Sequence, residues 1–252
     1  MEHIVLITGA TAGIGKATAF KLAEMNYNLI ITGRRKDKLE EIKKAITDKF
    51  GIEILSLCFD VRDKESVSKS VDNIPDEWKN IDVLINNAGL AVGLNALQDG
   101  EIDDWERMID TNIKGLLYIT KKIAPFMIKK EKGHIVNIGS IAGKEVYPGG
   151  NVYCATKHAV EALTKGMRID MLKHNIKVTS VCPGNVETEF SIVRFKGDSH
   201  KANKVYEGYT PLYAKDIADT IAFVITRPPH VNINDILIMS TAQANTCHLH
   251  KE

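Results

Sequence analysis

The sequence has almost no net charge and only four cysteines, and each of these two features argues against a class of protein. Among its 252 residues, 33 lysines and arginines balance 32 aspartates and glutamates. That balance gives no support for a nucleic-acid or membrane surface as a partner. No run approaches the roughly 20 apolar residues of a membrane span. The four cysteines have neither metal-type nor disulfide-type spacing and the histidines are scattered, so we expect no metal site.

The N-terminus leaves little room for a targeting segment. A strand-like run, Ile4-Val5-Leu6-Ile7, begins almost at once, whereas a signal peptide needs a longer apolar stretch. Cysteines without disulfide spacing suit a reducing compartment, and we expect a cytoplasmic protein. The composition, 44% hydrophobic and 26% charged, is typical of globular proteins, and the length fits one dinucleotide-binding domain over residues 1–252.

Short apolar runs alternate with helix-like segments along the chain. The predicted strands are 3–8, 28–32, 53–58, 83–86, 134–138, 177–182 and 236–239, and the predicted helices are 13–26, 36–50, 64–73, 103–129, 152–174 and 214–226. This alternation predicts an α/β fold with a single doubly wound, Rossmann-type parallel sheet and helices on both faces. Residues 184–210 break the pattern after a strand end, where such sheets bind ligands, and we expect a substrate lid there.

A glycine-rich turn joins the first predicted strand to the first predicted helix. Gly9, Gly13 and Gly15 fall in this turn. Glycines let the backbone approach a pyrophosphate, and the N-terminus of the helix supplies N–H donors and a positive dipole. A turn of this kind can exist without a ligand, but the strand before it and the helix after it favour dinucleotide binding.

The second predicted strand ends at two arginines, Arg34 and Arg35. A site that prefers NAD usually carries an acid here for the ribose hydroxyls, and no acid is present until Asp37. Arginines suit a 2′-phosphate, so this strand end predicts a preference for NADP. The alternative is a solvated basic turn.

Two further strand ends carry polar or small residues. Asp60 and Val61 follow the third predicted strand, at the edge of the expected adenine pocket. Asn87, Ala88 and Gly89 follow the fourth, where the small Ala-Gly step allows the cofactor a close approach to the backbone. Asparagines there can also tie neighbouring strands together, which is a structural role.

Tyr153 and Lys157 are four residues apart in a predicted helix, so they share one face of it. An ammonium beside a phenol favours the phenolate and is expected to lower the pKa of Tyr153, which makes it a proton acceptor for an alcohol. Ser140 ends the fifth predicted strand and has a hydroxyl that can donate to a substrate oxygen. Asn112 is a poor helix residue within a predicted helix, able to bend it and hold a water. Taken alone, neither of these last two residues decides anything.

The glycine-rich turn, the Asn87-Ala88-Gly89 step, Ser140 and the Tyr153–Lys157 pair follow one another along the chain in this order. Together they resemble the short-chain dehydrogenase/reductase family from residue 3 to about residue 239. The resemblance implies that Tyr153 is the catalytic acid and base and that Lys157 binds the nicotinamide ribose. It implies that Ser140 orients the substrate oxygen and that Asn112 holds a water of a proton relay. The cofactor site it implies consists of Gly9, Thr11, Gly13, Ile14, Gly15, Arg34, Arg35, Asp60, Val61, Asn87, Ala88, Gly89, Tyr153, Lys157, Pro183, Gly184, Val186 and Thr188.

A narrower resemblance rests on residues 147–153 and 187–197, which look like those of NADP-dependent 3-hydroxy acid dehydrogenases. That subgroup oxidises serine, allo-threonine and related 3-hydroxy acids and reduces malonic semialdehyde. A carboxylate substrate needs a cation. Arg194 is the leading candidate, because its planar fork can bind a carboxylate bidentately, and Lys196 and Lys144 are the others.

The resemblance also implies a homotetramer with residues 103–129 at an interface. Two alternatives for the function stay open. One is a reductase of the same family acting on 3-ketoacyl thioesters, steroids or general carbonyls. The other is a protein that binds NADPH without catalysis.

Overall fold

The computed structural model describes residues 3–252, and its main feature is a sheet of seven parallel strands. The strands of this sheet are β1 (Ile4–Ile7), β2 (Asn28–Gly33), β3 (Ile54–Cys58), β4 (Ile81–Asn86), β5 (Gly133–Ile138), β6 (Ile176–Pro183) and β9 (Asp235–Ile238). Two short strands, β7 (Val186–Glu187) and β8 (Leu212–Tyr213), pair separately in parallel. The predicted parallel sheet is therefore confirmed.

Helices connect the strands. They are α1 (Gly13–Glu24), α2 (Lys36–Phe50), α3 (Lys64–Asp72), α4 (Ile102–Ile109), α5 (Leu116–Lys129), α6 (Asn151–Asp170), α7 (Glu189–Arg194), α8 (Ser199–Lys204) and α9 (Ala214–Ile225). No helix within residues 3–252 is both long enough and apolar enough to cross a membrane.

The order of the strands across the sheet is β3-β2-β1-β4-β5-β6-β9. From β1 the chain first builds outward through β2 and β3, and then returns to add β4 on the other side of β1. In open α/β sheets this reversal leaves a crevice at the carboxyl ends of the two central strands, where ligands bind. The glycine-rich turn follows β1, and Asn87 follows β4, so both lie at this crevice.

The apolar strands are buried on both faces of the sheet, which is why they read as continuous hydrophobic runs. In β1, Val5 and Ile7 pack in one core cluster with residues of α1, α2 and α9. The alternate residues Ile4 and Leu6 pack in a second cluster with residues of α3, α5 and α6. Helices on both sides thus hold the sheet, and the loops at one edge are left to form a site.

Two predicted segments differ from the structure in detail. The predicted helix 103–129 is interrupted by a π-helical turn at Asp110–Gly115, which contains Asn112, the residue considered able to bend this helix. The predicted lid, 184–210, for which no helix was predicted, contains α7 and α8. Thr188 and Asp198 begin these helices by accepting backbone N–H bonds from Phe190 and Lys201. Such N-caps satisfy donors that would otherwise be unpaired.

Candidate active site

A cavity of about 480 Å³ opens at the carboxyl ends of the strands. It brings together most of the residues predicted for the cofactor, for catalysis and for the substrate. Those lining it are Gly9, Thr11, Gly13, Ile14, Arg34, Asp60, Val61, Asn87, Ala88, Gly89, Ser140, Tyr153, Lys157, Pro183, Gly184, Val186, Thr188 and Arg194. Gly15, Arg35 and Asn112 are absent from the lining, although each contacts residues that form it.

The glycine-rich turn is fastened to the end of β4. Gly9 has φ +67°, and a Cβ there would lie 3.0 Å from the Cα of Ala88, so the turn needs glycine for its conformation and for its contact. The side-chain amide of Asn87 donates to the carbonyls of Thr8 at 2.8 Å and Gly9 at 3.1 Å. Asn87 therefore has the structural role anticipated for asparagines at this position.

The N-terminus of α1 has the features of an anion site. Its N-cap residue is Ala12, and within residues 3–252 no side chain caps this helix end. Gly13 has φ +51°, and a Cβ there would meet the side chain of Thr188 at 3.3 Å. The first-turn N–H groups and the helix dipole favour a phosphate at this end. These residues fit the pyrophosphate of a dinucleotide.

The two arginines after β2 have different surroundings. Arg34 lines the cavity, with its Nη1 3.6 Å from Asp60 Oδ2. Arg35 donates from Nη2 to Thr11 Oγ1 at 3.0 Å and from Nη1 to Glu189 Oε2 at 3.1 Å. Arg35 therefore links the glycine-rich turn to the first helix of the predicted lid. The Arg34 guanidinium fits a 2′-phosphate beside the adenosine ribose, whereas the role predicted for Arg35 at that phosphate stays a prediction.

Asp60 is held by an arginine that the sequence analysis did not single out. Arg62 donates to both carboxylate oxygens of Asp60, at 2.7 to 3.1 Å. Burial alone raises the pKa of Asp60, but the bonds from Arg62 and the charge of Arg34 lower it overall. The ionised Asp60 is therefore fixed in place at the edge of the cavity.

Tyr153, Lys157 and Ser140 lie together and are buried, with 8%, 6% and 7% of their surfaces exposed. Lys157 Nζ donates to the carbonyl oxygen of Ile138 at 2.7 Å. Ser140 Oγ accepts from the backbone N–H of Ala142 at 3.1 Å, so its own hydroxyl hydrogen is not used by that bond. The serine can thus donate to another oxygen in the cavity.

The expected lowering of the Tyr153 pKa by Lys157 is wrong for this arrangement. Burial, and after it Tyr147, raise the pKa of Tyr153 well above its usual range, although the Ser140 hydroxyl lowers it. The Lys157 ammonium is directed at the Ile138 carbonyl, and burial lowers its own pKa to about 8. Desolvation disfavours the charged form of both groups, and that effect dominates here.

Asn112 connects α6 to the loop after β4. Its amide nitrogen donates to the carbonyl of Leu90 at 2.8 Å and to Thr156 Oγ1 at 3.0 Å, and its oxygen accepts from Leu90 N–H at 2.9 Å. Both amide hydrogens are therefore used within the protein. The side chain holds Leu90, which lines the cavity, in place, while the predicted relay water remains a prediction.

Of the three cations considered for a substrate carboxylate, two are paired elsewhere. Lys144 lies 2.6 Å from Asp235 Oδ2, and Lys196 lies 2.7 Å from Asp104 Oδ2. Arg194 lines the cavity, with its guanidinium carbon 5.7 Å from the centre of the Tyr153 ring. Only Arg194 of the three lies against the candidate acid, and no carboxylate within the described residues is bonded to it.

Sequence reasoning missed several residues that line the cavity. Tyr147 accepts a hydrogen bond from Arg194 Nη2, yet its segment was noted only for a resemblance. Gln243 accepts the backbone N–H of Asn185 at 2.8 Å, and Thr246 also lines the cavity. Both belong to a polar C-terminal tail, where the pair Ala242-Gln243 adds to the narrower resemblance, but its packing against the lid segment was not predicted.

Comparisons with known proteins agree with this geometry. The family described as short chain dehydrogenase matches residues 3–198. An enzyme from Salmonella typhi named NADP-dependent 3-hydroxy acid dehydrogenase is 45% identical over 242 residues, which cover 96% of each chain. The enzyme of that name from Schizosaccharomyces pombe is 44% identical over 249 residues, covering 98% of this chain and 96% of its own.

A solved structure is also similar over the whole length. It is the closed form of a serine dehydrogenase complexed with NADP⁺, with a TM-score of 0.92 and 41% sequence identity. The match covers 99% of this chain and 100% of that chain.

Proposed function

This chain belongs to the short-chain dehydrogenase family, and we propose that it interconverts a small 3-hydroxy acid and the corresponding 3-oxo acid or semialdehyde. It is an oxidoreductase that acts on CH–OH groups with NADP as cofactor. Serine, allo-threonine and 3-hydroxypropionate represent the substrate class. The observation that carries this class is the position of Arg194 beside Tyr153.

Arg194 has the surroundings expected of a carboxylate anchor. Its Nη2 donates to the Tyr147 hydroxyl, while its Nε is buried and has no hydrogen-bond partner among the described residues. A buried donor without a partner costs about 1–3 kcal/mol, and a substrate carboxylate would remove that cost. Since the guanidinium lies against Tyr153, an acid bound there would carry its hydroxyl close to the phenol.

The protein's own groups then account for the proton transfer. In oxidation, Tyr153 takes the proton of the substrate hydroxyl, and in reduction it returns it to the new alkoxide. The Ser140 hydroxyl donates to the same substrate oxygen and lowers the pKa of Tyr153 against the effect of burial, and the Lys157 ammonium would bind the nicotinamide ribose. NADP, when bound, would supply the hydride acceptor or donor and, when oxidised, a positive charge that favours the phenolate form of Tyr153.

The alternatives are less well supported by the site. Steroids and general carbonyls need no anchoring cation, and Arg194 would then be left with an unpaired buried donor. A protein that only binds NADPH has no need for a serine, a tyrosine and a lysine beside one another in the cavity.

We retain residues 184–210 as the substrate lid, because α7 carries Arg194 and Phe190, whose ring lies 5.7 Å from that of Tyr153. A cytoplasmic location is likewise proposed.

Arg194→Ala tests the proposed substrate class. We expect kcat/KM for 3-hydroxy acids to fall about 10- to 100-fold, as one charge-assisted hydrogen-bonding partner is worth roughly 1.5–3 kcal/mol. Neutral carbonyl compounds should lose little. Lys196→Ala, which removes a neighbouring cation paired with Asp104, is the matched control and should leave the ratio of the two substrate types unchanged. Equal losses on charged and neutral substrates in Arg194→Ala would contradict the anchor.

The pKa of Lys157 predicts the pH dependence of reduction. Lys157 is cationic below its pKa of about 8, and Tyr153 stays protonated well beyond that pH because its own pKa is raised. We therefore expect kcat/KM for NADPH-dependent reduction to be level below about pH 8 and to fall above it. Initial rates from pH 6 to pH 10 check this, and a rate that stays level to pH 10 would exclude Lys157 as the titrating group.

We also propose a homotetramer. Ile102, Ile109 and Leu117 on the α4–α5 segment are large apolar residues with 64%, 38% and 38% of their surfaces exposed. Exposed large apolar side chains on one segment of the chain are typical of an interface. Light scattering at micromolar concentration should give four times the mass of one chain. Leu117→Glu should give a smaller species, and a wild-type monomer would refute the assembly.

A further inference from the structure

A buried polar cluster lies directly behind the proposed catalytic residues and takes no part in the chemistry described above. At its centre is Glu161 on α6, one helical turn beyond Lys157 and 7% exposed. Its Oε1 accepts hydrogen bonds from the hydroxyl of Ser180 and, at 3.1 Å, from the thiol of Cys182. Its Oε2 lies 3.4 Å from the ammonium of Lys144. An ammonium, a hydroxyl and a thiol around one carboxyl group suit its ionised form.

The cluster has donors of the kind that bind metals, but a lysine takes the place of the cation. Glu161, Cys182 and Asp235 offer ligand atoms within 4.8 Å of one another. The Lys144 ammonium pairs with both carboxylates, at 3.4 Å and 2.6 Å. Lys144 therefore balances the charges of Glu161 and Asp235, and we do not interpret the cluster as a metal site.

Glu161 contacts both sides of the segment that carries Ser140. A Cβ on Gly139 would lie 2.6 Å from Glu161 Oε1, and a Cβ on Gly143 would lie 3.0 Å from Glu161 Cγ. These two glycines stand before and after Ser140, so the Glu161 side chain packs closely beneath the whole turn. The carbonyl of Ile138, next to Gly139, is the acceptor for Lys157 Nζ. One side chain thus lies against the supports of both Ser140 and Lys157.

Glu161 is also the negative charge that acts on Lys157. Burial lowers the pKa of Lys157, while Cys182 and Glu161 raise it. Burial raises the pKa of the Cys182 thiol to about 12, so the thiol is neutral near pH 8 and Glu161 supplies the charge. The other charged groups that interact with Glu161 are Lys144, Asp235 and Arg168.

We infer that Glu161 is a positioning residue for the proton transfer: it holds the Gly139–Gly143 turn under Ser140 and places a carboxylate one helical turn from Lys157. The inference rests on the proposed roles of Tyr153, Lys157 and Ser140. Tyr153, Lys157 and Glu161 follow one another at four-residue spacing on one face of α6. The proposed acid Tyr153, the cation Lys157 and the carboxylate of Glu161 therefore all belong to one helix.

The test compares pH profiles of kcat/KM for NADPH-dependent reduction by the full-length protein. Glu161→Gln keeps the shape of the side chain and removes its charge, and Lys144 remains paired with Asp235. The alkaline limb should move down by about one pH unit, the effect expected when one neighbouring opposite charge is lost. Asp235→Asn is the matched control, because it neutralises a carboxylate of the same cluster that is not among the groups acting on Lys157. Its alkaline limb should coincide with that of the wild type.

A coincident limb in folded Glu161→Gln, or an equal shift in Asp235→Asn, would overturn the inference. Should Glu161→Gln fail to fold, as thermal unfolding will tell, Glu161→Asp keeps the charge but is one methylene too short to reach Gly139. We then expect a wild-type limb with kcat lowered at least about tenfold, and a wild-type kcat would overturn the inference. A wild type that turns over no hydroxy or oxo acid would instead count against the proposed function.

Discussion

Tyr153→Phe is expected to lower turnover at least about 100-fold while NADPH binding changes little. The substitution keeps the ring that packs against Phe190 and removes the hydroxyl that exchanges a proton with the substrate. General acid and base catalysis is typically worth about 10²–10⁴ in rate, and the loss should therefore appear in kcat. Steady-state rates in both directions, with NADPH titration by fluorescence, separate the two quantities.

The matched control for this variant is Tyr147→Phe. Tyr147 lies in the same cavity, and its hydroxyl accepts a bond from Arg194. Its loss should raise KM for 3-hydroxy acids through Arg194 and leave kcat within a few-fold of the wild type. Near-normal turnover by Tyr153→Phe would exclude the proposed proton transfer, whatever the control shows.

Replacing Arg34 and Arg35 together by alanine should largely remove the preference for NADP over NAD. Each arginine can make a charge-assisted hydrogen bond to a 2′-phosphate, worth roughly 1.5–3 kcal/mol. Losing both should raise KM for NADP about 100-fold or more, whereas KM for NAD should change less than about threefold. The single variants should differ, since Arg34 lines the cavity while Arg35 is bonded to Thr11 and Glu189.

Lys38→Ala provides the control for that experiment. Lys38 is a basic residue of α2 paired with Glu41 at 2.7 Å, and it should have no effect on cofactor selectivity. If the double variant of Arg34 and Arg35 keeps wild-type selectivity, these arginines do not bind the 2′-phosphate of NADP.

Local patterns were enough to predict the fold and the framework of the site. The alternation of apolar runs and helical segments gave the parallel sheet, because strands buried on both faces are apolar throughout. The glycines after β1 and the four-residue spacing of Tyr153 and Lys157 depend only on neighbouring residues. These features could be placed before any tertiary contact was known.

The electrostatic properties of the site depend on residues distant in sequence and could not be predicted in this way. The pKa of Tyr153 is raised because α7 and Tyr147 pack around the phenol, and no local spacing encodes that burial. Lys144 pairs with Asp235 and Lys196 pairs with Asp104, and neither ion pair can be predicted from the sequence around the lysine. Capping by Thr188 and Asp198 could have predicted α7 and α8, since both are residue types favoured at N-caps.

The central claim is that this enzyme selects a small hydroxy acid by its carboxylate, and one comparison tests it most directly. NADP⁺-dependent oxidation of allo-threonine should be measured beside its methyl ester, which has the same hydroxyl and no carboxylate charge. We predict that kcat/KM for the acid exceeds that for the ester at least about tenfold, because only the acid pairs with Arg194. Equal rates, or faster oxidation of the ester, would contradict the account.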